Sequence, residues 1–292
     1  MQVVYHLGAH CTDDDKLFRC LLKNKGELAG IGTMVSGPGR YRRVLREATN
    51  ALKGQPASVE LQEDLLAAVM DEDHAERLVF SNEQFICAAR SALSDNQIYP
   101  QMSEKVQWIR NLFPEADTEF HIAIANPATF IPDLFARCRE EEDFAGFLAG
   151  VTPADLRWSD TLAAIRAALP EARLVAWCNE DTPLIWPDIL RDMAAMPATM
   201  PIAGENDFLA TIMSDEGVQR MESYLATHPI KTSQQRQRVV TAFLDKYARP
   251  EAVEVEMDLP GWNEATVEAL TALYIEDLER IRMIEGITFI EP

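Results

Sequence analysis

The segment HLGAHCTDDDK, residues 6–16, gathers the side chains of this 292-residue chain that are best suited to chemistry. Two histidines, a cysteine and three consecutive aspartates follow or overlap a short apolar run, VVYHLG, which is typical of a buried strand. A strand that leads into the N-terminus of a helix creates an anion site, because backbone N–H groups there lack partners and the helix dipole adds positive charge. The segment is therefore a candidate binding loop.

The residue types in this loop support three interpretations. In the first, Thr12 is the N-cap of a helix and the aspartates fill its first turn, so that Thr12 and Asp15 form a capping box. In the second, His10 binds a divalent metal ion together with Asp13 and Asp14. In the third, nearby basic side chains hold an anionic ligand; these are Lys16, Arg19, Arg40, Arg42 and Arg43.

Composition and charge narrow the class of protein. The chain has 47 acidic and 27 basic residues and a formal net charge of −20, which disfavours nucleic acids and anionic membranes as partners because both require a basic surface. No apolar stretch approaches the roughly 18 residues of a membrane span, and we recognise no secretory signal. The five cysteines are scattered without a CxxC pair, so we expect reduced thiols in a cytoplasmic protein.

The elements that must position the loop are predicted to be alternating strands and helices. Four apolar segments are predicted as buried parallel strands: 3–8, 77–82, 119–125 and 173–178. Helical periodicity predicts the helices between them: 41–54, 61–76, 103–113, 127–144 (kinked or divided at Pro132), 159–169 and 183–196. This alternation predicts an α/β fold with a parallel sheet of about four to five strands flanked by helices.

The last third of the chain is predicted to be helical. Three amphipathic segments, 214–228, 233–248 and 263–284, are separated by prolines, and no strand is predicted after residue 200. Residues 1–200 are thus predicted to form the α/β core, and residues 201–292 a helical extension packed on it within a single domain. The apolar faces of these helices either cover the sheet or form a homodimer.

Several segments, in order along the chain, resemble bacterial sulfotransferase-family proteins. They are YHLGAHCTDDDKLF, YRRVL, VFSNEQF, AIANPATFIPDLF, LVAWCNED and the tail YIEDLERIRMIEGITFI. In that family the first strand reads much like HLGAHKTGTT, and its loop grips the 5′-phosphosulfate end of 3′-phosphoadenosine 5′-phosphosulfate (PAPS). The resemblance implies a P-loop-like α/β fold and, for an active enzyme, a sulfotransferase-type reaction.

The resemblance also implies that the donor-binding motifs are degenerate. The lysine of the family loop falls on Cys11 and its glycine and two threonines fall on the aspartates 13–15, which leaves only Thr12 in kind. A second family motif, an arginine followed eight residues later by a serine, holds the 3′-phosphate and falls on Ala125 and Asp133. Each lost cation removes contacts worth about 1.5–3 kcal/mol, and carboxylates repel phosphates. We therefore expect PAPS binding to be weaker by roughly 10⁴-fold or more.

Other residues acquire candidate roles from their positions. Glu83 follows the second predicted strand, at the carboxyl edge where open α/β sheets place their sites, and the resemblance makes it a candidate general base or substrate contact. His10 is a second candidate for catalysis. By analogy with the family, Tyr41 and Arg42 lie near the acceptor cleft.

A further group of carboxylates is predicted at the same edge of the sheet. Glu180 and Asp181 follow the fourth predicted strand, and we expect them to join Asp133 and the loop aspartates. Such a cluster is suited to a cation, a polyamine or a basic peptide.

Three functions remain open at this point. The first is a repurposed or non-catalytic scaffold, without an assigned cofactor, that acts through an unidentified small molecule or protein. The second is an active PAPS-dependent sulfotransferase with atypical anchors, in which Lys16, Arg19 and the arginines near residue 42 converge on the loop. The third is a metal- or cation-binding enzyme that uses His10 and at least two of the nearby carboxylates.

Overall fold

The computed structural model describes residues 1–70, 74–140, 142–253 and 258–292. The strands are β1 (Gln2–His6), β2 (Thr33–Val35), β3 (Arg77–Ser81), β4 (Leu93–Ser94), β5 (Gln97–Ile98), β6 (Asp117–Ile124), β7 (Arg173–Cys178) and β8 (Ile287–Ile290). The helices are α1 (Lys16–Lys23), α2 (Lys25–Gly30), α3 (Pro38–Leu52), α4 (Val59–Val69), α5 (Met102–Arg110), α6 (Pro127–Cys138), α7 (Phe144–Phe147), α8 (Trp158–Ala168), α9 (Thr182–Ala194), α10 (Leu209–Ile212), α11 (Asp215–Thr227), α12 (Ser233–Tyr247), α13 (Pro250–Val253) and α14 (Glu264–Arg282).

Six strands form one parallel sheet in the order β2-β3-β1-β6-β7-β8. Helices flank this sheet, so the predicted α/β fold with a parallel sheet is confirmed, with six strands instead of four to five. The four predicted strands correspond to β1, β3, β6 and β7. β4 and β5 form a separate antiparallel pair.

The two additional strands lie at the edges of the sheet. β2 has only three residues and lies close to glycines, so it carries too little pattern to be recognised. β8 pairs with β7 from Leu174 opposite Ile287 to Trp177 opposite Ile290. The prediction that strands are absent after residue 200 is therefore wrong: β8 is short, only partly buried, and follows a long helix that dominates the local periodicity.

Most predicted helices are confirmed with shifts of a few residues. The segment predicted as helical over 127–144 contains α6, which ends at Cys138, and α7 begins only at its last residue, Phe144; Glu141 between them lies outside the described residues. The helix predicted over 61–76 ends earlier, at Val69, and residues 71–73 of that segment lie outside the described residues. The three C-terminal helices correspond to α11, α12 and α14.

α6 runs through Pro132 without dividing there, contrary to one of the two predicted outcomes. A proline inside a helix cannot donate to the carbonyl four residues earlier, which is that of Ala128. Trp262 Nε1 donates to this carbonyl instead, at 2.9 Å. The buried indole thus satisfies the backbone acceptor that Pro132 leaves free.

The two faces of the sheet differ in polarity. On one face Tyr5 stacks on Phe120, with ring centroids 5.7 Å apart, and its hydroxyl reaches the Ile109 carbonyl of α5. The alternating residues on the other face include Glu119 of β6 and Arg77 of β3, and Arg77 donates to the Met193 carbonyl of α9. The second face therefore contains a charged layer beneath α9.

That charged layer is a compact ion network at the amino ends of the strands. Arg77 donates to both oxygens of Glu119, at 2.9 and 2.6 Å, and both side chains are more than nine-tenths buried. Arg173 bridges Glu119 (3.1 Å) to Asp192 of α9. His121 Nε2 lies 3.4 Å from the same Glu119 carboxylate. The network joins three strands to one helix.

The C-terminal part packs on the α/β core through α14, which contacts α6 and α8. The Asp277 carboxylate of α14 accepts the backbone N–H groups of Trp158 and Ser159 at the start of α8. α11 and α12 pack against each other around a smaller apolar cluster that includes Met213, Met221 and Val240. Within the described ranges, no helix has both the length and the apolar character needed to cross a bilayer.

Candidate functional site

The topology places a switch point at the carboxyl end of β1. The connection after β1 leads toward the β2 edge of the sheet, whereas those after β2, β3, β6 and β7 lead toward the β8 edge. Ligands of open α/β sheets bind in the crevice at such a point. An open cleft of about 640 Å³ lies there, lined by His6, Gly8, Asp13, Asp14, Asp15, Pro38, Gly39, Arg42, Arg43, Arg46, Ser81, Asn82, Glu83 and Gln84.

The loop after β1 stays hydrogen-bonded to β6 before it turns into the cleft. Leu7 N donates to the His121 carbonyl (2.8 Å), and Ala9 N donates to the Ala123 carbonyl (3.0 Å). Gly8 between them has φ of +99°, and a Cβ there would lie 3.3 Å from Glu83 Cα and Cβ. The position requires glycine for both its conformation and its space.

We expect Gly8→Ala to lower the free energy of unfolding by about 1–3 kcal/mol, the usual cost of a strained left-handed residue. The close approach of the loop to Glu83 leaves little room for relaxation. Denaturant unfolding monitored by circular dichroism measures the change. Gly26→Ala is the control, because Gly26 lies in α2 with nothing within 4 Å of its added Cβ, and it should be neutral or slightly stabilising. Equal stability of the two variants would contradict the account of the loop.

The start of α1 differs from the predicted capping box. The helix begins at Lys16, and its N-cap is Asp15 in a left-handed conformation with φ of +63°. The Thr12 hydroxyl donates to the Ala9 carbonyl (2.7 Å), and the Asp13 carboxylate accepts the N–H of Leu17 (3.1 Å). The prediction of Thr12 as N-cap is wrong because left-handed residues extend the loop by three positions. An aspartate nevertheless satisfies one free N–H of the first turn.

Arg42 is held by the loop on one side and by β3 on the other. Its guanidinium pairs with both oxygens of Asp15, with Nη1 3.0 Å from Oδ2 and Nη2 bonded to Oδ1. Its Nε and Nη2 donate to the Ser81 carbonyl at 3.0 and 2.9 Å. The Arg42 hydrogen bond holds the pKa of Asp15 below its usual range. The carboxylate thus occupies the fork with which an arginine binds phosphate.

Tyr41 lies in the core and not on the cleft surface. Its hydroxyl donates to the Ser81 carbonyl (2.7 Å) and accepts the Ser81 N–H (2.9 Å). Burial raises the pKa of Tyr41 to about 12. Of the two predicted acceptor contacts, only Arg42 lines the cleft.

Arg137 of α6 pairs with Asp14 of the loop and with Glu83 after β3, and sequence reasoning missed it. Its two terminal nitrogens lie 2.6 Å from Glu83 Oε1 and 2.6 Å from Asp14 Oδ1. Lys16 Nζ is 3.4 Å from the second Asp14 oxygen. Asp133, one helical turn before Arg137, is half-buried, and burial raises its pKa. The four-residue spacing of Asp133 and Arg137 was the signal available in the sequence.

His10 is separated from the loop aspartates by its bond to Tyr99. Tyr99 Oη accepts the His10 backbone N–H (2.9 Å) and lies 2.7 Å from Nδ1. The two rings stack with centroids 5.7 Å apart, and His10 is 1% exposed. Burial, and then Arg137, lower the pKa of His10 to about 4.

This pKa predicts an acid sensitivity of folding. The unfolded chain has a His10 pKa near 6.5, so it binds a proton that the folded protein excludes between about pH 6.5 and pH 4. Stability then falls as the pH drops through this window, by about 3 kcal/mol for His10 alone, and levels off below it. His10→Gln retains an acceptor for Tyr99 without titrating. Urea unfolding across this range should show a shallower decline for His10→Gln, and an identical decline would contradict the assignment.

Ala125 and Glu180 have their hydrogen bonds away from the loop, whereas Cys11 lies within it. Ala125 is buried and its carbonyl accepts the indole N–H of Trp158 (2.7 Å). Glu180 accepts the backbone N–H of Asn126 (2.7 Å) and the hydroxyl of Tyr274 (3.2 Å), and it therefore binds the α6 start and α14 instead of joining the loop carboxylates. Burial raises the pKa of the Cys11 thiol to about 12.

The contacts in the cleft bear on both the metal-site hypothesis and the active-transferase hypothesis. Across residues 1–70, 74–140, 142–253 and 258–292, no group of three or more His, Cys, Asp or Glu side chains is arranged to hold a metal ion. Of the basic residues that the active-transferase hypothesis requires at the loop (Lys16, Arg19 and the arginines near residue 42), Lys16 and Arg42 form ion pairs with Asp14 and Asp15. Lys16 and Arg42 are thus paired with carboxylates of the loop itself.

Comparisons with protein-family models, with curated proteins and with solved structures found no match to this chain. The functional interpretation consequently depends on the cleft and its contacts.

Proposed function

We propose that this chain is a sulfotransferase-like α/β protein whose switch-point cleft excludes PAPS and binds a different small molecule without sulfuryl transfer. The observation that carries the proposal is the bidentate pair of Asp15 and Arg42 at the start of α1. Arginine binds carboxylate and phosphate through the same fork, so the loop supplies its own anion where a donor phosphate would need a cation.

Electrostatics add to this exclusion. A phosphate that replaced Asp15 on Arg42 would come near Asp13 and Asp14. Two like charges about 4 Å apart at an effective dielectric near 20 repel by about 4 kcal/mol. One such contact alone weakens binding by roughly 10³-fold. Arg137 offers little compensation, because it already serves Asp14 and Glu83.

Neither candidate catalytic base is available for proton transfer. Glu83 lines the cleft but is bound to Arg137, and His10 is buried and bound to Tyr99. A general base needs access to the proton that it removes. These contacts favour the non-catalytic form of the proposal over an active transferase.

Calorimetric titration with 3′-phosphoadenosine 5′-phosphate (PAP), the spent donor, in metal-free buffer tests the proposal. We expect no saturable heat at millimolar ligand. Binding at micromolar concentration would overturn the proposal and support the active PAPS-dependent enzyme with atypical anchors. Arg42→Gln is the matched variant. If the Asp15–Arg42 pair excludes PAP, the variant should bind PAP no better than wild type. If Arg42 instead binds the donor's phosphate, the variant should lose the binding that wild type shows.

A further inference from the structure

The wall of the cleft formed by α3 carries positive charge that the protein leaves open. Pro38 and Gly39, in the first turn of this 15-residue helix, line the cleft. Its N-cap is Gly37, which has no side chain to accept a hydrogen bond from the first turn. The first turn also contains no acidic residue. The positive end of the helix dipole is therefore exposed to the cleft.

Two arginines extend this wall beyond Arg42. Arg46 is exposed and makes no ion pair with any residue in the described part of the chain, and Arg43 has a loose 3.7 Å contact with Glu47. Both side chains line the cleft. Unlike Arg42, which Asp15 neutralises, they remain available to an anionic group.

The opposite wall carries an excess of negative charge. The Asp13 carboxylate accepts one backbone N–H and forms no ion pair among the described residues. Asp14 and Glu83 share Arg137, and Asp14 also has the longer contact to Lys16. Asp14 remains 62% exposed despite these contacts. This wall is suited to a cationic group.

His6 provides an independent sign of a ligand at the cleft. It lines the cleft, is 1% exposed, and its Nδ1 is hydrogen-bonded to Ser81 Oγ (2.9 Å). Its ring stacks on Trp177, which fixes its orientation. Its Nε2 has no hydrogen-bond partner within the described residues. A buried polar atom without a partner is costly, so a ligand atom that bonds to Nε2 would be stabilised by it.

We infer that the cleft binds a small zwitterion, with its anionic group on the basic wall formed by α3 and its protonated amine against Asp13 and Glu83. A polar atom of the ligand reaches His6 Nε2. The inference rests on the proposed function and names the class of molecule that the cleft takes in place of PAPS. An anion alone meets the acidic wall, and a cation alone meets the arginines. The cleft volume of about 640 Å³ is within the usual range for small-molecule sites.

Calorimetric titration with matched probes tests this charge arrangement. The zwitterions are O-phosphoethanolamine, taurine and β-alanine, and the half-ligands are inorganic phosphate and ethanolamine. At least one zwitterion is expected to bind at least tenfold more tightly than either half-ligand. Equal binding of phosphate would show a simple anion site and would overturn the inference, as would equal binding of ethanolamine. Failure of all three zwitterions would overturn it as well.

Variants locate the site and separate it from a general charge effect. Arg46→Gln and Asp13→Asn should each weaken the best zwitterion at least tenfold, whereas Arg220→Gln, on the distant helix α11, should leave its affinity unchanged. Thermal unfolding verifies that each variant is folded. If no zwitterion binds and PAP does not bind either, this inference fails alone. If PAP binds wild-type protein tightly, the proposed function fails.

Discussion

Introducing a loop of the sulfotransferase type, which residues 10–15 resemble, is expected to increase the affinity for PAP by about 10³-fold or more. The variant carries Cys11→Lys, Asp13→Gly, Asp14→Thr and Asp15→Thr. These changes remove the partner of Arg42, Asp15, and one of the two partners of Arg137, Asp14. They also add a cation to the loop. Each charge-assisted hydrogen bond to the ligand is worth about 1.5–3 kcal/mol, so two such bonds suffice for the expected increase. Calorimetry on the variant and on wild type measures the difference.

A control that removes three negative charges elsewhere distinguishes the loop from the overall field of an acidic protein. Glu63→Gln, Glu268→Gln and Glu276→Gln remove three negative charges from exposed helix positions far along the chain from the loop. This triple variant should bind PAP no better than wild type. If the four-residue loop variant is folded and still fails to bind PAP, the loop aspartates are not the cause of weak PAP binding.

Glu119→Gln is expected to lower the free energy of unfolding by about 3–5 kcal/mol. The change removes the charge that compensates Arg77, whose side chain is 6% exposed, and weakens the contact to Arg173. An unpaired buried guanidinium costs more than the pair itself contributes. Guanidinium-chloride unfolding at neutral pH measures the loss.

Two further variants give this prediction its controls. Glu216→Gln breaks the exposed pair with Arg220 on α11 and should change stability by at most about 1 kcal/mol. Arg77→Met combined with Glu119→Leu removes both buried charges and should recover much of the loss. A loss below about 1 kcal/mol in Glu119→Gln would show that Arg77 does not depend on this carboxylate for its compensation.

The same network sets the direction of an acid effect. Burial alone would raise the pKa of Glu119, but hydrogen bonds from His121 and Arg77 hold that pKa well below its usual range. A carboxylate with a depressed folded pKa contributes its full stabilisation above its unfolded pKa of about 4.3 and loses it as the pH falls further. As the pH is lowered, the loss of stability caused by His10 therefore begins at a higher pH than the loss caused by Glu119.

The strands that lie in the middle of the sheet could be predicted from the sequence, because buried strands have a recognisable run of apolar residues. β1, β3, β6 and β7 are buried on both faces along most of their length, and the rule that sites lie at carboxyl ends of parallel strands located the cleft. β2 and β8 were not predicted because three or four residues at a sheet edge show no distinct periodicity. Edge strands are defined by their pairing more than by their composition.

The contacts that decide the chemistry of the cleft join residues distant in sequence. Asp15 and Arg42 are separated by 27 positions, and Asp14 and Arg137 by 123. Sequence reasoning identified the carboxylates and Arg42 but assigned them to a helix cap, a metal site or an external anion as separate alternatives. Only the register of β1, β3 and β6 brings α3 and α6 onto the loop, so the pairing of acid with base was not accessible from spacing.

A crystal structure of wild-type protein grown with millimolar PAP tests the central claim most directly. The account predicts the Asp15 carboxylate seated on the Arg42 guanidinium, with Arg137 between Asp14 and Glu83 and no nucleotide at the loop. A phosphate bound to Arg42, with Asp15 displaced, would contradict it.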